Sequence, residues 1–323
     1  MRYVIYGAGA IGGTLAGRLF EGGHDVAAIA RGDHLAVMRR DGLTVADPDR
    51  TVTLPVPAVA HPAEAELTDD DLVVLATKTQ DTAGALADLR ATAPAGLRIA
   101  CAQNGVENER LALRVSPSVY GVTVMLPAEH QEPGLVWVMS APTTGMLDIG
   151  RYPSGTDATS VQMAADFGGC TFDTRSVPDV MRWKYSKLRM NLYNAVQAIC
   201  GLDAETGDLF RDLVAEAAAC YEAAGIDAAS HEEDKQRRGD LLQIRPVGDH
   251  GRGGGSSWQS LQRGSGTIET DYLNGEIVLL GRLHGVPTPA NAGVQRVANR
   301  LAAAGAGPGT MTGDELLAEL GRT

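Results

Sequence analysis

The chain of 323 residues carries 28 Lys and Arg against 40 Asp and Glu, a formal net charge of −12, and is 44% hydrophobic. That acidity argues against a nucleic-acid binder, no apolar run reaches the roughly 18 residues of a membrane span, and an anionic ligand has to be held by local cations. The length predicts about two domains, and four cysteines without paired or metal-ligand spacing, Cys101, Cys170, Cys200 and Cys220, predict a reducing cytoplasm and no metal.

The opening residues lack the charged leader, long apolar core and cleavage site of a signal peptide. Residues 3–6 read as a short apolar strand running into Gly7, Ala8, Gly9, Ala10, Ile11 and Gly12, where a segment of helical character begins. This is the Rossmann fingerprint in its context of strand, tight turn and helix. Its glycines let the backbone approach a pyrophosphate, whose charge the helix N-terminus stabilises. The alternative is a glycine turn that binds nothing. A second strand, residues 26–30, ends in Arg31 and Gly32, whereas an NAD site would place an acidic residue there and Asp25 lies at the wrong end. A guanidinium suits a 2′-phosphate through bidentate, charge-assisted bonds. The cofactor read here is therefore NADPH rather than NADH; otherwise Arg31 is a solvated charge.

Residues 71–76 and 97–102 have the composition of buried parallel strands. The first runs into Thr77, Lys78 and Gln80, the second into Gln103, Asn104 and Gly105. Ligands of open α/β sheets bind beyond the carboxyl ends of strands, so Lys78 and Asn104 fall where a nicotinamide and its substrate would lie. Either one alone would be an ordinary loop residue. Residues 119–150 carry short strands, VYGVTVMLPAE, EPGLVWV and GMLDIG, expected to extend the sheet in antiparallel fashion. The predicted boundary falls near Val177, giving an NADP-binding Rossmann-type domain (1–176) and a helical substrate and catalytic domain (177–323).

In residues 183–195, Lys187, Asn191 and Asn194 are spaced four and seven apart, on one predicted helix face. Leu188, Met190, Leu192 and Ala195 predict that this helix is largely buried, so its polar face needs a polar ligand. Lys184 shares the face and is the alternative cation. Leu209, Leu213, Ala217 and Tyr221 mark a further helix that Gly225 stops. Residues 231–234 read as a solvated helix face. The glycine-rich, aperiodic stretch 237–257 is expected to be a mobile loop that closes over ligand, or else a linker with a serine cap; it leads into Ser256, Ser257 and Trp258. Helices follow at 271–283 and 291–304, and Thr312 with Glu315 forms a capping-box pattern.

GAGAIGG near the start, Lys78, QNG at 103–105, PG at 133–134, KLRMN at 187–191, SSW at 256–258 and ETDYLNGE at 269–276 occur in that order. With this set the chain resembles the ketopantoate reductase family over nearly its whole length. The resemblance implies an α/β fold: a Rossmann-type dinucleotide-binding domain followed by an all-helical C-terminal domain, with the active site in the cleft between them. It also implies NADPH-dependent reduction of a 2-oxo acid, a small-molecule substrate, to a 2-hydroxy acid; the sequence leaves the oligomeric state open, with a homodimer as one assembly to test. By position it makes Lys187 the catalytic lysine, Glu269 its acidic partner, and Ser257 and Asn191 substrate ligands. Asn104 then lies by the nicotinamide and the substrate hydroxyl, Lys78 at the cofactor end, and Arg31 on the 2′-phosphate. The chemistry agrees. Hydride delivery to a carbonyl carbon builds negative charge on oxygen, which a lysine can stabilise and then protonate. A nearby carboxylate keeps that lysine charged.

The departures fall on the substrate side. Ala195 stands where the family has a second substrate asparagine, with Asn194 one position earlier; Trp258 replaces a methionine, Leu261 an aspartate, and Ile268 separates Thr267 from Glu269. The reaction type is thus better defined than the substrate. Ketopantoate competes with another 2-oxo acid, and the competing classes are a dehydrogenase of a 3-hydroxy acid, opine or polyol phosphate, or a non-enzymatic NADPH sensor. The Lys–Glu pair could also be structural. Asn274 and Asp271 are expected to pack or cap their helix, Asn274 with a reach toward the site.

Overall fold

The computed structural model describes residues 1–251, 253–264 and 266–322. Its strands are β1 (Arg2–Tyr6), β2 (Val26–Ile29), β3 (Leu43–Ala46), β4 (Thr51–Leu54), β5 (Ala58–Val59) and β6 (Asp71–Leu75). Then follow β7 (Arg98–Cys101), β8 (Ser118–Met125), β9 (Ala128–Glu129), β10 (Leu135–Val138), β11 (Gly145–Arg151) and β12 (Phe172–Ser176). The helices are α1 (Ala10–Glu21), α2 (Gly32–Asp41), α3 (Thr82–Thr92), α4 (Asn108–Ala112), α5 (Ala158–Gly168), α6 (Val180–Asn191) and α7 (Asn194–Cys200). They continue with α8 (Leu209–Ala224), α9 (His231–Arg238), α10 (Ser256–Gln262), α11 (Asn274–His284), α12 (Pro289–Ala303) and α13 (Gly313–Glu319). No helix among the described residues is long and apolar enough to cross a membrane.

The chain divides into two units, Met1–Lys184 with His231–Arg252, and Tyr185–Ser230 with Gly253–Thr323. The sequence-based boundary at 176/177 lies before α6, and the segment that returns to the first unit was not foreseen. The first unit is built on an eight-stranded sheet in the order β12-β11-β8-β7-β6-β1-β2-β5. Val4, Ile5, Leu72, Val73, Val74 and Ile99 are fully buried in its central strands. Apolar runs without alternation suit strands covered on both faces, and the pairs β2–β1, β1–β6, β6–β7 and β7–β8 are parallel.

The antiparallel extension is only partly as expected. β8 and β11 do pair antiparallel, but the LVWV strand, β10, leaves the main sheet. It pairs parallel with β3 in a second sheet ordered β4-β3-β10-β9. Its residues alternate in burial, with Val136 and Val138 inward, as in a strand with one covered face.

The segment expected to be a mobile loop is fastened to the first unit up to residue 251, and residues 253–257 belong to the second unit; residue 252 lies outside the described residues. Arg237 is buried and donates to both carboxylate oxygens of Asp148, with Asp173 as a second partner. Ile244 bridges to Ser140, Arg245 pairs with Asp49 at 2.8 Å, and His250 stacks on Trp137 at a centroid distance of 4.6 Å. These contacts compensate for the missing apolar periodicity.

The second unit is helical. α11 packs on α8 and α12, and α10 packs on α7. Glu216 of α8 accepts hydrogen bonds from the backbone N–H of Ala290 and Asn291, the orphan donors at the start of α12.

Lys184, the last residue of the first unit's main segment, is fully buried against an equally buried Glu109 of α4. Burial pushes the Glu109 carboxyl up, and Lys184 opposes that rise. Without Lys184 the upward push loses its main opponent. A carboxyl whose folded value lies above its unfolded value loses stability as pH rises between the two and regains it as pH falls. Lys184→Met is therefore expected to cost about 3–5 kcal/mol at neutral pH, the cost of an uncompensated buried charge. Part of that deficit should return at mildly acidic pH, as read by urea unfolding of parent and variant. An equal deficit at both pH values would contradict an ionised Glu109 as the partner of Lys184.

Candidate active site

β1 ends at Tyr6 and α1 begins at Ala10, so the turn residues 7–9 sit at the carboxyl end of a central strand. A Cβ on Gly12 would lie 2.0 Å from the carbonyl oxygen of Gly7, so only glycine lets α1 approach the turn this closely. The first backbone N–H groups of α1 have no partners within the helix and carry its positive dipole end. Arg31 is exposed at the end of β2, immediately before α2. These positions agree with the fingerprint and with the location read for Arg31.

The turns after β6 and β7 are tied to each other by side chains. Asn108 of α4 donates through Nδ2 to the Asn104 carbonyl and to Thr79 Oγ1, both at 3.1 Å, and accepts from Thr82 Oγ1 at 2.8 Å. Gln103 Nε2 donates to Thr82 Oγ1 at 2.8 Å and to the Thr77 carbonyl at 3.0 Å. Lys184 Nζ donates to the Gln103 carbonyl at 3.0 Å and to Glu109. Lys78 and Asn104, both half-buried, thus stand on neighbouring, mutually braced turns. The carbonyls Asn104 and Gln103 present through Oδ1 and Oε1 are buried and find no hydrogen-bond partner among the described residues. Both atoms can accept a hydrogen bond from a ligand or from water.

Lys184 is not the free cation that its helical spacing allows. Its ammonium is committed to Glu109 and to backbone carbonyls that brace the Asn104 turn. The sequence reading missed Asn108 and Glu109. Their signal was the polar pair directly following QNG-Val-Glu, at the start of a short helix.

In the second unit, Lys187 is half-buried and Asn191, one turn later on α6, is 8% exposed. The helix stops at Asn191, and α7 starts afresh at Asn194. Asn194 therefore does not continue the face of Lys187 and Asn191, although its spacing suggested so. The break is held by Asn274, whose Nδ2 donates to the Leu192 carbonyl at 3.0 Å and to Asn291 Oδ1 at 3.1 Å. Asn274 is a packing residue, as one of its two readings had it. Leu188, Leu192 and Ala195 are fully buried, but Met190 is exposed, which corrects the expectation for that residue.

Asn194 instead lies against the residue leading into α10, since a Cβ on Gly255 would stand 3.3 Å from its amide. Ser257 of α10 is fully buried, and its Oγ has no hydrogen-bond partner among the described residues; the same holds for Asn191 Nδ2. Glu269 is 2% exposed at the start of a short turn of 3₁₀-helix, Glu269–Tyr272, packed on α11. No group of three or more His, Cys, Asp or Glu among the described residues could hold a metal ion.

The comparisons with known proteins agree with this arrangement. A family model described as "Ketopantoate reductase PanE/ApbA" matches residues 3–154, and its C-terminal counterpart matches residues 179–302. The 2-dehydropantoate 2-reductase of Mesorhizobium japonicum is 30% identical over 336 aligned residues, covering 94% of this chain and 98% of the relative. That of Halobacterium salinarum is 28% identical over 301 residues, covering 90% and 95%. The crystal structure of a PanE/ApbA family ketopantoate reductase from Ralstonia eutropha superposes with a TM-score of 0.79 at 26% identity, covering 94% of this chain and 99% of that one. A D-mandelate dehydrogenase solved with NADH and anilino(oxo)acetate shares the fold, with a TM-score of 0.79 at 22% identity over the same shares. With both family models matched along its length, the chain belongs to the ketopantoate reductase PanE/ApbA family of oxidoreductases.

Proposed function

We propose that this protein reduces a 2-oxo acid to the corresponding 2-hydroxy acid with NADPH, 2-dehydropantoate being the first substrate to test. The observation that carries the reading is a set of buried polar atoms without a hydrogen-bond partner among the described residues, at positions the family motifs mark: Asn104 Oδ1, Asn191 Nδ2 and Ser257 Oγ. The residues present fit a dinucleotide. The turn Gly7, Ala8, Gly9, Ala10, Ile11 and Gly12 would hold the pyrophosphate, Arg31 the 2′-phosphate, and Lys78 and Asn104 the nicotinamide end. When bound, the reduced nicotinamide supplies the hydride.

The chain's own groups supply the rest. As the carbonyl carbon gains the hydride, the C=O π pair moves onto oxygen, and Lys187 stabilises that charge and transfers a proton to it. Glu269, which the family motif makes the acidic partner of Lys187, would favour its ammonium form, as an opposite charge does. Asn104, Asn191 and Ser257 orient the acid, and Asn194 borders the same part of the second unit through Gly255. Trp258, directly after Ser257, replaces the family's methionine with a bulkier aromatic ring, which favours a substrate side chain other than that of 2-dehydropantoate as the second reading. The cysteines are free thiols, which suits a reducing cytoplasm.

Oxidation of NADPH followed against a panel of 2-oxo acids tests the reaction and ranks the substrates. Tight NADPH binding without turnover of any carbonyl compound would instead indicate a sensor. Lys187→Ala is expected to lower kcat about 10²–10⁴-fold; full activity would remove Lys187 from the role of acid. Arg31→Ala is expected to raise KM for NADPH about tenfold or more, the value of one lost charge-assisted bond, and to leave NADH use little changed. Equal losses with both cofactors would refute the contact with the 2′-phosphate.

A further inference from the structure

His34, in the first turn of α2, has no role in the reading above, and neither does the Pro133–Gly134 pair. The structure joins them at the dinucleotide turn. The backbone N–H of Gly134 donates to His34 Nδ1 at 2.8 Å, so Nδ1 is the acceptor and the ring proton is on Nε2. Nε2 in turn donates to the carbonyl oxygen of Ala8 at 2.8 Å. Gly134 is fixed by its own surroundings: its φ is +78°, and a Cβ there would lie 2.3 Å from Cγ1 of Val37, one turn after His34 on α2. Its carbonyl accepts from the Thr44 N–H at 2.8 Å, where β3 and β10 begin to pair. Ala8 is 3% exposed, so its carbonyl needs a donor from the protein.

We propose that His34 is a positioning residue for the cofactor turn, holding the Ala8–Gly9 peptide in the one orientation that can receive a pyrophosphate. The peptide unit is planar and trans, so its C=O and N–H point in opposite directions. Pinning the Ala8 oxygen on His34 turns the Gly9 N–H away from His34, to the opposite side of the peptide. A flipped peptide would carry its oxygen on that side and repel a phosphate. Glycine at position 9 makes such a flip easy, so the turn needs an external restraint. Burial and the neighbouring His130 ring, whose centroid lies 4.2 Å away, push the His34 imidazole down to about 4. The imidazole is neutral near pH 7, as the bond accepted from Gly134 requires.

This inference rests on the reading of the turn as a dinucleotide site, and two amide substitutions separate its parts. His34→Gln can place an N–H donor near Nε2 and keep the bond to Ala8. His34→Asn can accept from Gly134 near Nδ1 but is too short to reach Ala8. The dissociation constant for NADPH is measured by fluorescence titration, with the melting temperature of the unliganded protein alongside. His34→Asn is expected to weaken NADPH binding about tenfold, the fold-change of one lost hydrogen bond, and to leave kcat at saturating NADPH near that of the parent. His34→Gln is expected to bind within about threefold of the parent. Equal affinities in parent and His34→Asn, or a melting-temperature loss in both variants with unchanged affinity, would overturn the positioning role alone. Failure of the parent to bind NADPH would overturn the dinucleotide reading and this inference with it.

Discussion

The first unit depends on one requirement: the polar groups at the carboxyl ends of its central strands must be satisfied without water. Thr79, Thr82, Gln103 and Asn108, in and beyond the turns after β6 and β7, are buried, so their polar groups need partners within the protein. The chain meets the requirement with a buried ammonium. Lys184 fills the space between Glu109 and the carbonyl of Gln103. Asn108 and Gln103 complete the bracing with Thr77, Thr79 and Thr82. An apolar plug of the same volume could fill the space, but it could not hold carbonyls in place. The cost of burying two ions is the cost of fixing two turns, and those turns carry Lys78 and Asn104.

The same logic recurs at smaller scale after β1, the parallel neighbour of β6. The Ala8 carbonyl is buried and takes its donor from His34, which takes its own orientation from Gly134. In the second unit, the carbonyl of Leu192 beyond the end of α6 takes its donor from Asn274. Each device satisfies a backbone group next to a residue with a proposed function. Asn104 Oδ1, Asn191 Nδ2 and Ser257 Oγ, with their neighbours Gln103 Oε1 and Ser256 Oγ, find no hydrogen-bond partner among the described residues.

The departures from the family pattern gain a physical setting. Asn194 is not a slipped copy of a residue on the α6 face, because α6 ends at Asn191 and Asn194 begins α7. It lies against Gly255, and so belongs with the approach to Ser257. The altered residues Ala195, Trp258 and Leu261 are on α7 and α10, two helices packed on each other. Their changes therefore affect one region of the second unit and leave the glycine turn and strand ends alone. A specificity change and a conserved reaction type are compatible on that division.

The sequence by itself determined the central strands, the glycine turn, the residues just past β6 and β7, and the helical texture of the second half. All of these are local: a run of apolar residues, a glycine needed at close approach, or a helical period is written in neighbouring positions. Tertiary structure alone decided which polar residues are spent on support. Lys184 and Lys187 are three apart and look alike in sequence, yet Lys184 is committed to Glu109, 75 residues away. The departure of β10 to a second sheet, the fastening of Arg237 to Asp148 and the link from His34 to Gly134 are likewise long-range. Their partners lie in segments whose proximity no local pattern encodes, because it follows from the order in which strands assemble into sheets.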